Sequence, residues 1–404
     1  MSRLYNSPAR LDQVTDERGA VSANPRRARP LYAGTVGEAF ANQDAVFSEA
    51  FAVLNRAIAD RSFPGASIAI TLAGNLIALQ AFGRFTFEND AHAVSTDTIF
   101  DLASVTKVVA TTTAAMILYE RSLLDLEAPV AGVIPEFVSS DFSNGDERRS
   151  NVTFRMLLAH SSGLPAYEKL FLRAVTRADL LEAAFKVPLK YSPGTHAEYS
   201  DIGFILLGVA LERIAGDLLD RFCQREIFER LDMAHTSFNP PATWREQIPP
   251  TADDKTFRNR IIQGEVQDEN ASICGGVTGH AGLFSTAADV ATLAECILSG
   301  GAPILRPETV ARFTARETSP TGTSRALGWD TPSAPSQSGK YFSPASFGHL
   351  GYTGTSLWID PVRRLSVTLL TNRTWPDCSN TAIKEVRPRF HDAVVQAVER
   401  AGNR

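Results

Sequence analysis

The chain has 404 residues, 44% of them hydrophobic, and a formal net charge of -5 at pH 7. That length and apolar content suffice for one large buried core or two smaller ones, and they exclude disordered and fibrous classes. A charge this small also excludes a broad basic field for nucleic acid.

Residues 1–36, which open "MSRLYNSPARLDQVTDERGAVSANPRRARP", carry charges throughout and lack the apolar segment of a signal peptide. They read as a flexible arm, and the protein as cytoplasmic unless an export signal lies upstream. No stretch reaches the roughly 18 uninterrupted apolar residues of a membrane span. The four cysteines, Cys223, Cys274, Cys296 and Cys378, form neither a CxxC pair nor a zinc spacing, and are expected to be reduced and buried.

From Thr35 to about Asp60, Phe40, Val46, Phe47, Phe51, Leu54 and Ile58 stand near helical spacing and predict an amphipathic helix. After Pro64-Gly65 come two β-rich runs around Ala73-Gly74-Asn75, a hairpin signal. From Asp101 to about Gly216 helical periods dominate. Strand signals return with "GLFST", "SFGHLGYTGTSLWID" and "RLSVTLLTN", before a last helix, "FHDAVVQAVERAG"; Pro332 to Ser338 reads as a loop. The economical fold is one α/β domain over 37–404. Its α/β part comes from 37–100 and 272–404, and a helical part, 101–271, is inserted between.

In "DLASVTKVV", residues 101–109, Ser104 and Lys107 stand three apart, so a helix start would place hydroxyl and amine side by side. A serine hydroxyl is a weak nucleophile, and a lysine whose ammonium is disfavoured by burial can take its proton during attack. Alternatively Ser104 or Thr106 caps the helix and Lys107 is a solvated charge. Lys107 is the one lysine in the chain with a serine three places earlier, and its neighbours Val105, Val108, Val109 and Ala110 argue for partial burial.

"ASVTK" before a long apolar helix resembles the nucleophile motif of the penicillin-binding-protein and serine β-lactamase superfamily. Further matches stand in the family's order: "FPGASIAI", "TFRMLLAHSSGLP", "YSPGTHAEYSDIGFILLG", "GGVTGHAGLFSTAADVA", "LGWD" and "GHLGYTGTSLWIDP". They span roughly residues 37 to 400. The resemblance implies a β-lactamase/transpeptidase-like fold, an antiparallel sheet flanked by helices with an inserted helical subdomain. It points to the class C β-lactamase-related members, close to esterase-like and amidase-like proteins.

The family's second motif, Tyr-x-Asn, reads Tyr199-Ser200-Asp201 here. The resemblance makes Tyr199 a partner of Lys107 in moving the proton from Ser104 to the leaving group. Otherwise Tyr199 is an aromatic at a helix start and Asp201 its cap. Ionised Asp201 offers only acceptors where Asn offers both, which favours a substrate carrying an amino group. The third motif, Lys-Thr-Gly in well-known β-lactamases, reads His349-Leu350-Gly351, so a fixed positive charge is not guaranteed there. The resemblance gives the N–H of Tyr352, after Gly351, a place in an oxyanion hole with the N–H of Ser104. Otherwise His349 is a polar strand residue, and Gly351 and Gly354 mark turns.

"GEVQDENASICGGVTGHAGLFS" clusters Glu265, Asp268, Glu269 and Asn270, and its glycines suggest backbone brought close to a ligand. This version resembles a subgroup that includes N-acetylmuramoyl-L-alanine amidases acting on muropeptides. Asp268 or Glu269 is expected to read a substrate ammonium, with a solvated loop as the alternative. His280 lacks a partner at metal-ligand spacing and reads as a satisfied loop histidine; the other histidines attract no role.

The resulting expectation is a serine hydrolase that works through an acyl-enzyme on an amide or ester. The substrate would be a muropeptide amide or a small carboxylic ester, without metal or organic cofactor. A β-lactamase, or a non-catalytic penicillin-binding or sensor domain that keeps the pocket, is the alternative. G-x-S-x-G and G-x-x-x-x-G-K-[ST] are absent, which sets aside α/β-hydrolase and P-loop chemistry.

Overall fold

A computed structural model describes residues 41–139, 141 and 145–402. The expected arm, 1–36, lies outside them. Of the helix expected over Thr35–Asp60, a short turn Gln43–Val46 leads into α1, Ser48–Ala59, whose Ala50, Phe51, Leu54 and Ala57 form one buried stripe.

Among the described residues ten strands follow in chain order: β1 Gly65–Leu72, β2 Asn75–Gly83, β3 Phe100–Asp101, β4 Ser237–Phe238, β5 Ala252–Asp254, β6 Arg260–Ile262, β7 Leu283–Ser285, β8 Phe347–Leu350, β9 Ser356–Asp360 and β10 Leu365–Thr371. The main sheet is antiparallel, in the order β2-β1-β10-β9-β8. Its first hairpin turns at Ala73-Gly74, both at positive φ (54° and 84°), as a tight two-residue turn requires. Ile68 in β1 faces Leu369 in β10, and both chain ends therefore supply the sheet.

Alternation across the pleat sorts the strands' side chains into two cores. Ile68, Ile70, Val367 and Leu369 join Phe51, Leu54, Phe390 and Val394 in one cluster. This covers one sheet face with α1 and the C-terminal helix. Ala69 and Leu370 join the larger cluster on the other face, with Val290, Leu293 and Ala294. With both faces covered, β10 is buried along its whole length, including the hydroxyl residues Ser366, Thr368 and Thr371.

The helices needed below are α2 Thr113–Glu120, α3 Phe154–Leu158, α4 Arg177–Lys186, α5 Asp201–Ala215, α6 Glu269–Ile273, α7 Ala287–Leu298 and α8 Ile383–Gly402. In α5 every residue from Ile202 to Leu211 is buried, as in a helix apolar on all sides. Ser200 caps its start by accepting from the Gly203 N–H, and Gly216 ends it at φ +63. The middle of the chain, expected to be helical, also holds β4, β5 and β6. "GLFST" does form a strand, β7, but it pairs with β3 and β4 rather than joining the main sheet. Three cysteines are buried as expected. Cys378 is exposed, because it lies in the polar turn after β10, where Asp377 accepts from the Ser379 N–H.

Candidate active site

Ser104 lies where β3 leaves the small sheet. A 3-10 turn, Ala103–Val105, runs into a π-helical stretch, Lys107–Thr112, and then α2. Ala103, directly before the serine, has φ +47. A non-glycine residue there costs on the order of 1–3 kcal/mol and persists only when its surroundings impose it. Asp101 helps impose it: Oδ1 accepts from the Ala103 N–H at 2.8 Å, and Oδ2 accepts from the Gln267 N–H at 2.7 Å. The buried carboxylate thus ties the serine turn to the segment before α6. Burial raises its pKa to about 6.

The expected pair meets. Lys107 is fully buried, and its Nζ lies 3.0 Å from Ser104 Oγ, 2.6 Å from Asp201 Oδ1 and 3.0 Å from the His280 carbonyl oxygen. Tyr199 OH lies 2.7 Å from Ser104 Oγ and 3.0 Å from Asp201 Oδ1. Burial pulls the Lys107 pKa down, and the Asp201 carboxylate only partly opposes it. Burial first, then the same carboxylate, holds the Tyr199 phenol well above its usual value, so it stays protonated. The cap position belongs to Ser200, which frees Asp201 to face Lys107.

His349, on β8, is buried beside Tyr199, with ring centroids 6.0 Å apart. Its Nδ1 donates to the Leu350 carbonyl oxygen at 2.8 Å, so Nε2 bears the lone pair, and Nε2 has no partner. Burial, then the charges of Lys107 and Arg325, hold its pKa well below the usual value. The third motif therefore presents a neutral acceptor.

Gly351 to Thr355 form the turn between β8 and β9, fastened from both sides. Thr353 and Thr355 donate through Oγ1 to the carbonyls of Asp101 and Leu102, at 2.8 and 2.9 Å. Arg387, buried on α8, donates to the carbonyls of Gly351, Gly354 and Thr355 at 2.6–3.1 Å. Arg373 donates to the Tyr352 carbonyl and lies 4.4 Å over the Tyr352 ring. A methyl group at Gly351 would overlap Thr355 Oγ1 and the Leu102 carbonyl. Among the described residues the Tyr352 N–H has no acceptor within the protein.

The acidic segment divides. Glu265 pairs with Arg260 away from the cleft, and Asn270 is buried, bridging the Glu168 carbonyl and the Phe171 N–H. Asp268 caps α6 through the Ala271 N–H and accepts from His280 Nε2 at 3.0 Å. Glu269 lines the cleft, and burial raises its pKa. In "GGVTGHAG", Gly279 lies against the backbone of Phe204 and Gly208 in α5, a close approach that a side chain would prevent. That close approach brings the His280 carbonyl to Lys107.

Ser104, Tyr199, Asp201, Glu269, His349 and Tyr352 stand on the walls of one cleft of about 780 Å³. Residue-by-residue reading missed several of its parts. Asp101 and Arg387 act through backbone contacts distant in sequence, and Arg325 sits in "RALGWD" without a signal of its own. His160, assigned no role, packs 4.8 Å from the Tyr199 ring and accepts from the Ser200 N–H through Nδ1. Among the described residues no group of three His, Cys, Asp or Glu is placed to hold a metal ion, and no helix is long and apolar enough to cross a membrane.

The chain is similar to known proteins in sequence and in fold. A model of the Beta-lactamase family matches residues 44–385. An N-acetylmuramyl-L-alanine amidase of Bacillus subtilis (strain 168) is 33% identical over 346 residues, 77% of each chain. A protein of Salmonella agona (strain SL483), provisionally named D-alanyl-D-alanine carboxypeptidase, is 32% identical over 362 residues, covering 80% of this chain and 82% of its own. In fold, the chain is similar to EstCE1, a hydrolase with promiscuous acyltransferase activity, with a TM-score of 0.72 and 21% identity over 88% of this chain and 100% of that one. A family model spanning most of the chain, two relatives above 30% identity and a cleft built around Ser104 agree: the protein belongs to the Beta-lactamase family and is a serine hydrolase of amide or ester substrates.

Proposed function

We propose that the protein cleaves an amide bond of a peptidoglycan-derived peptide through an acyl-enzyme on Ser104. Contacts of 3.0 Å from Ser104 Oγ to Lys107 Nζ and 2.7 Å to Tyr199 OH carry the reading. As a neutral amine, Lys107 keeps its two N–H groups on Asp201 and the His280 carbonyl, and its lone pair faces Ser104. It takes the serine proton as Oγ attacks the substrate carbonyl. The developing oxyanion is received by the Tyr352 N–H and by the Ser104 N–H at the start of the 3-10 turn. Tyr199, protonated and touching both Ser104 and Asp201, passes its proton to the leaving nitrogen and regains one from the Lys107 ammonium through Asp201, which touches both, so that Lys107 is neutral again. Water then attacks the ester carbonyl, with Lys107 taking its proton and handing it to Ser104 Oγ as the acid departs.

His349 Nε2 serves as an acceptor for a substrate N–H. Glu269, with no side-chain partner among the described residues, is placed to receive a substrate ammonium, whereas Asp268 is already engaged by His280 and the α6 cap. The names of the amidase and carboxypeptidase relatives support a peptide amide from peptidoglycan over a small ester. The neutral third motif counts against a β-lactamase, since it offers no charge to a β-lactam carboxylate.

The test incubates wild type and Ser104→Ala with a muramyl dipeptide, a nitrophenyl ester and a chromogenic cephalosporin, following product release and intact mass. Release of the dipeptide by wild type alone is expected. Equal rates for both proteins would overturn the mechanism. Rapid cephalosporin hydrolysis would assign a β-lactamase, and a stable adduct without turnover a sensor.

A further inference from the structure

We propose that His160 is a positioning residue for Tyr199: from the end of α3 it holds the backbone on both sides of that tyrosine and so keeps the phenol hydroxyl between Ser104 and Asp201. The proposal rests on the acyl-enzyme reading above, in which Tyr199 gives its proton to the leaving atom.

The backbone at His160 is the first sign. α3 ends in a cap in which the Ser161 N–H donates to the Met156 carbonyl at 2.8 Å and the His160 N–H to the Leu157 carbonyl at 3.2 Å. Such a cap puts its last residue in the left-handed conformation, which glycine adopts most readily. Here that residue is His160, at φ +55. A bulky side chain stands where the backbone favours none, and its surroundings hold it there.

Those surroundings are the neighbours of Tyr199. The Glu198 N–H donates to the His160 carbonyl at 2.9 Å, and the Ser200 N–H donates to His160 Nδ1 at 3.0 Å. The imidazole is buried, with ring centroids 4.8 Å from Tyr199 and 5.0 Å from Phe204 in α5. Its Nε2 has no partner among the described residues, so the polar edge in use is the one that holds Ser200. Burial first, then the charges of Arg325 and Lys107, keep the ring neutral, and Nδ1 retains its lone pair for that bond.

The contact belongs to a longer docking of two segments. Ser200 Oγ donates to the Pro165 carbonyl at 2.7 Å, and the Asp201 N–H to the Ala166 carbonyl at 2.8 Å. Residues 160–166 are thus a template along which 198–201 is laid. At Pro165 and Ala166 the template offers backbone carbonyls that any residue type could supply. At His160 it uses a side chain, and that side chain also packs on the ring whose hydroxyl lies 2.7 Å from Ser104 Oγ.

Misplacing Tyr199 has a selective chemical cost. A leaving group that is stable as an anion departs without the proton, whereas an alkoxide or amide nitrogen needs it. Loss of His160 should therefore slow poor leaving groups far more than good ones, while a general loosening of the fold would slow all of them alike.

Acetate esters of 4-nitrophenol, phenol and ethanol share one acyl group, and kcat/KM on each reports the acylation step. His160→Gly suits the left-handed cap but removes ring and acceptor. His160→Asn returns an acceptor oxygen near the Nδ1 position and tolerates the same backbone. His160→Gly is expected to lose at least about tenfold more on the ethyl ester than on the nitrophenyl ester, within the range a general acid contributes. His160→Asn should recover part of that difference. Adding His160→Gly to Tyr199→Phe should leave the leaving-group dependence of Tyr199→Phe unchanged, as expected of two residues that act as a unit. In a crystal structure of His160→Gly, Tyr199 OH should have left Ser104 Oγ. Equal losses on all the esters, or a Tyr199 that stays in contact with Ser104 in His160→Gly, would overturn the proposal. If Tyr199→Phe itself slows all the esters alike while the phenol is displaced in His160→Gly, the proton-transfer reading of Tyr199 falls and the positioning by His160 stands.

Discussion

Lys107 Nζ and Asp201 Oδ1 are 2.6 Å apart, and Tyr199 OH meets the same carboxylate oxygen at 3.0 Å. This carboxylate favours the lysine's charged form, against the burial that disfavours it.

Asp201→Asn should therefore shift activity toward acid. The attacking step needs neutral Lys107, so the acid limb of kcat/KM follows the lysine's pKa. Removing a carboxylate in direct contact withdraws an upward pull of about one to three units, while burial continues to pull downward. The rising limb for a neutral nitrophenyl ester should move to lower pH by at least about one unit. A limb that stays in place or moves upward would show that Lys107 is not the base.

Gly351→Ala tests the oxyanion loop. The added methyl would meet Thr355 Oγ1 and the Leu102 carbonyl, so the loop bearing the Tyr352 N–H must move. Loss of one such donor costs about 10²–10³ in kcat, and a drop of that size is expected with far-UV circular dichroism unchanged. Gly132→Ala is the control, since an added methyl there has no neighbour within 4 Å. Equal activity of both variants would remove Tyr352 from the oxyanion hole.

The same loop shows where reading the sequence succeeds and where it stops. Ser104, Lys107 and Tyr199 were legible because a three-residue spacing and an ordered set of short segments carry them. The sheet is legible because β1, β2 and β10 are rich in Ile, Val, Leu and Thr, the residues that fit a buried pleat. Arg387 is not legible: its partners are three backbone carbonyls some 32 to 36 residues earlier, and every residue type carries a backbone carbonyl. Nor was the role of Gly279, which depends on a contact with α5 rather than on its own loop. The acidic segment reads as one unit in the sequence, yet Glu265, Asp268, Glu269 and Asn270 face four different surroundings.

Arg387→Met should lower kcat by about ten- to a hundredfold while changing KM for a neutral ester little. It removes three hydrogen bonds that hold the Gly351–Thr355 turn, and burial of the guanidinium leaves its charge close behind that turn, with a pKa lowered to about 9. Arg387→Lys restores a charge without the fork that reaches three carbonyls, so it should recover only part of the rate. Binding of a phosphonate transition-state analogue should fall more than binding of product. Parallel losses in both, with kcat preserved, would make Arg387 a packing residue only.

Asp101→Asn should change how stability depends on pH. The buried carboxyl has its pKa raised to about 6 in the folded protein, against 3.8 for an unhindered aspartate. A raised acid pKa means that the folded state binds the proton more tightly. This contribution to stability is complete below about pH 4 and is lost as pH rises through 6. Two units correspond to about 3 kcal/mol. Urea unfolding at pH 4, 5, 6 and 7 should therefore show the advantage of wild type over Asp101→Asn shrinking by roughly that amount, with other titrating groups cancelling in the difference. The variant should also be slower at every pH, because an amide nitrogen cannot accept from the Gln267 N–H, and the tie between the Ser104 turn and the α6 segment is cut. A difference that stays constant from pH 4 to 7 would mean that Asp101 titrates at its ordinary value, and that the left-handed turn at Ala103 is held without it.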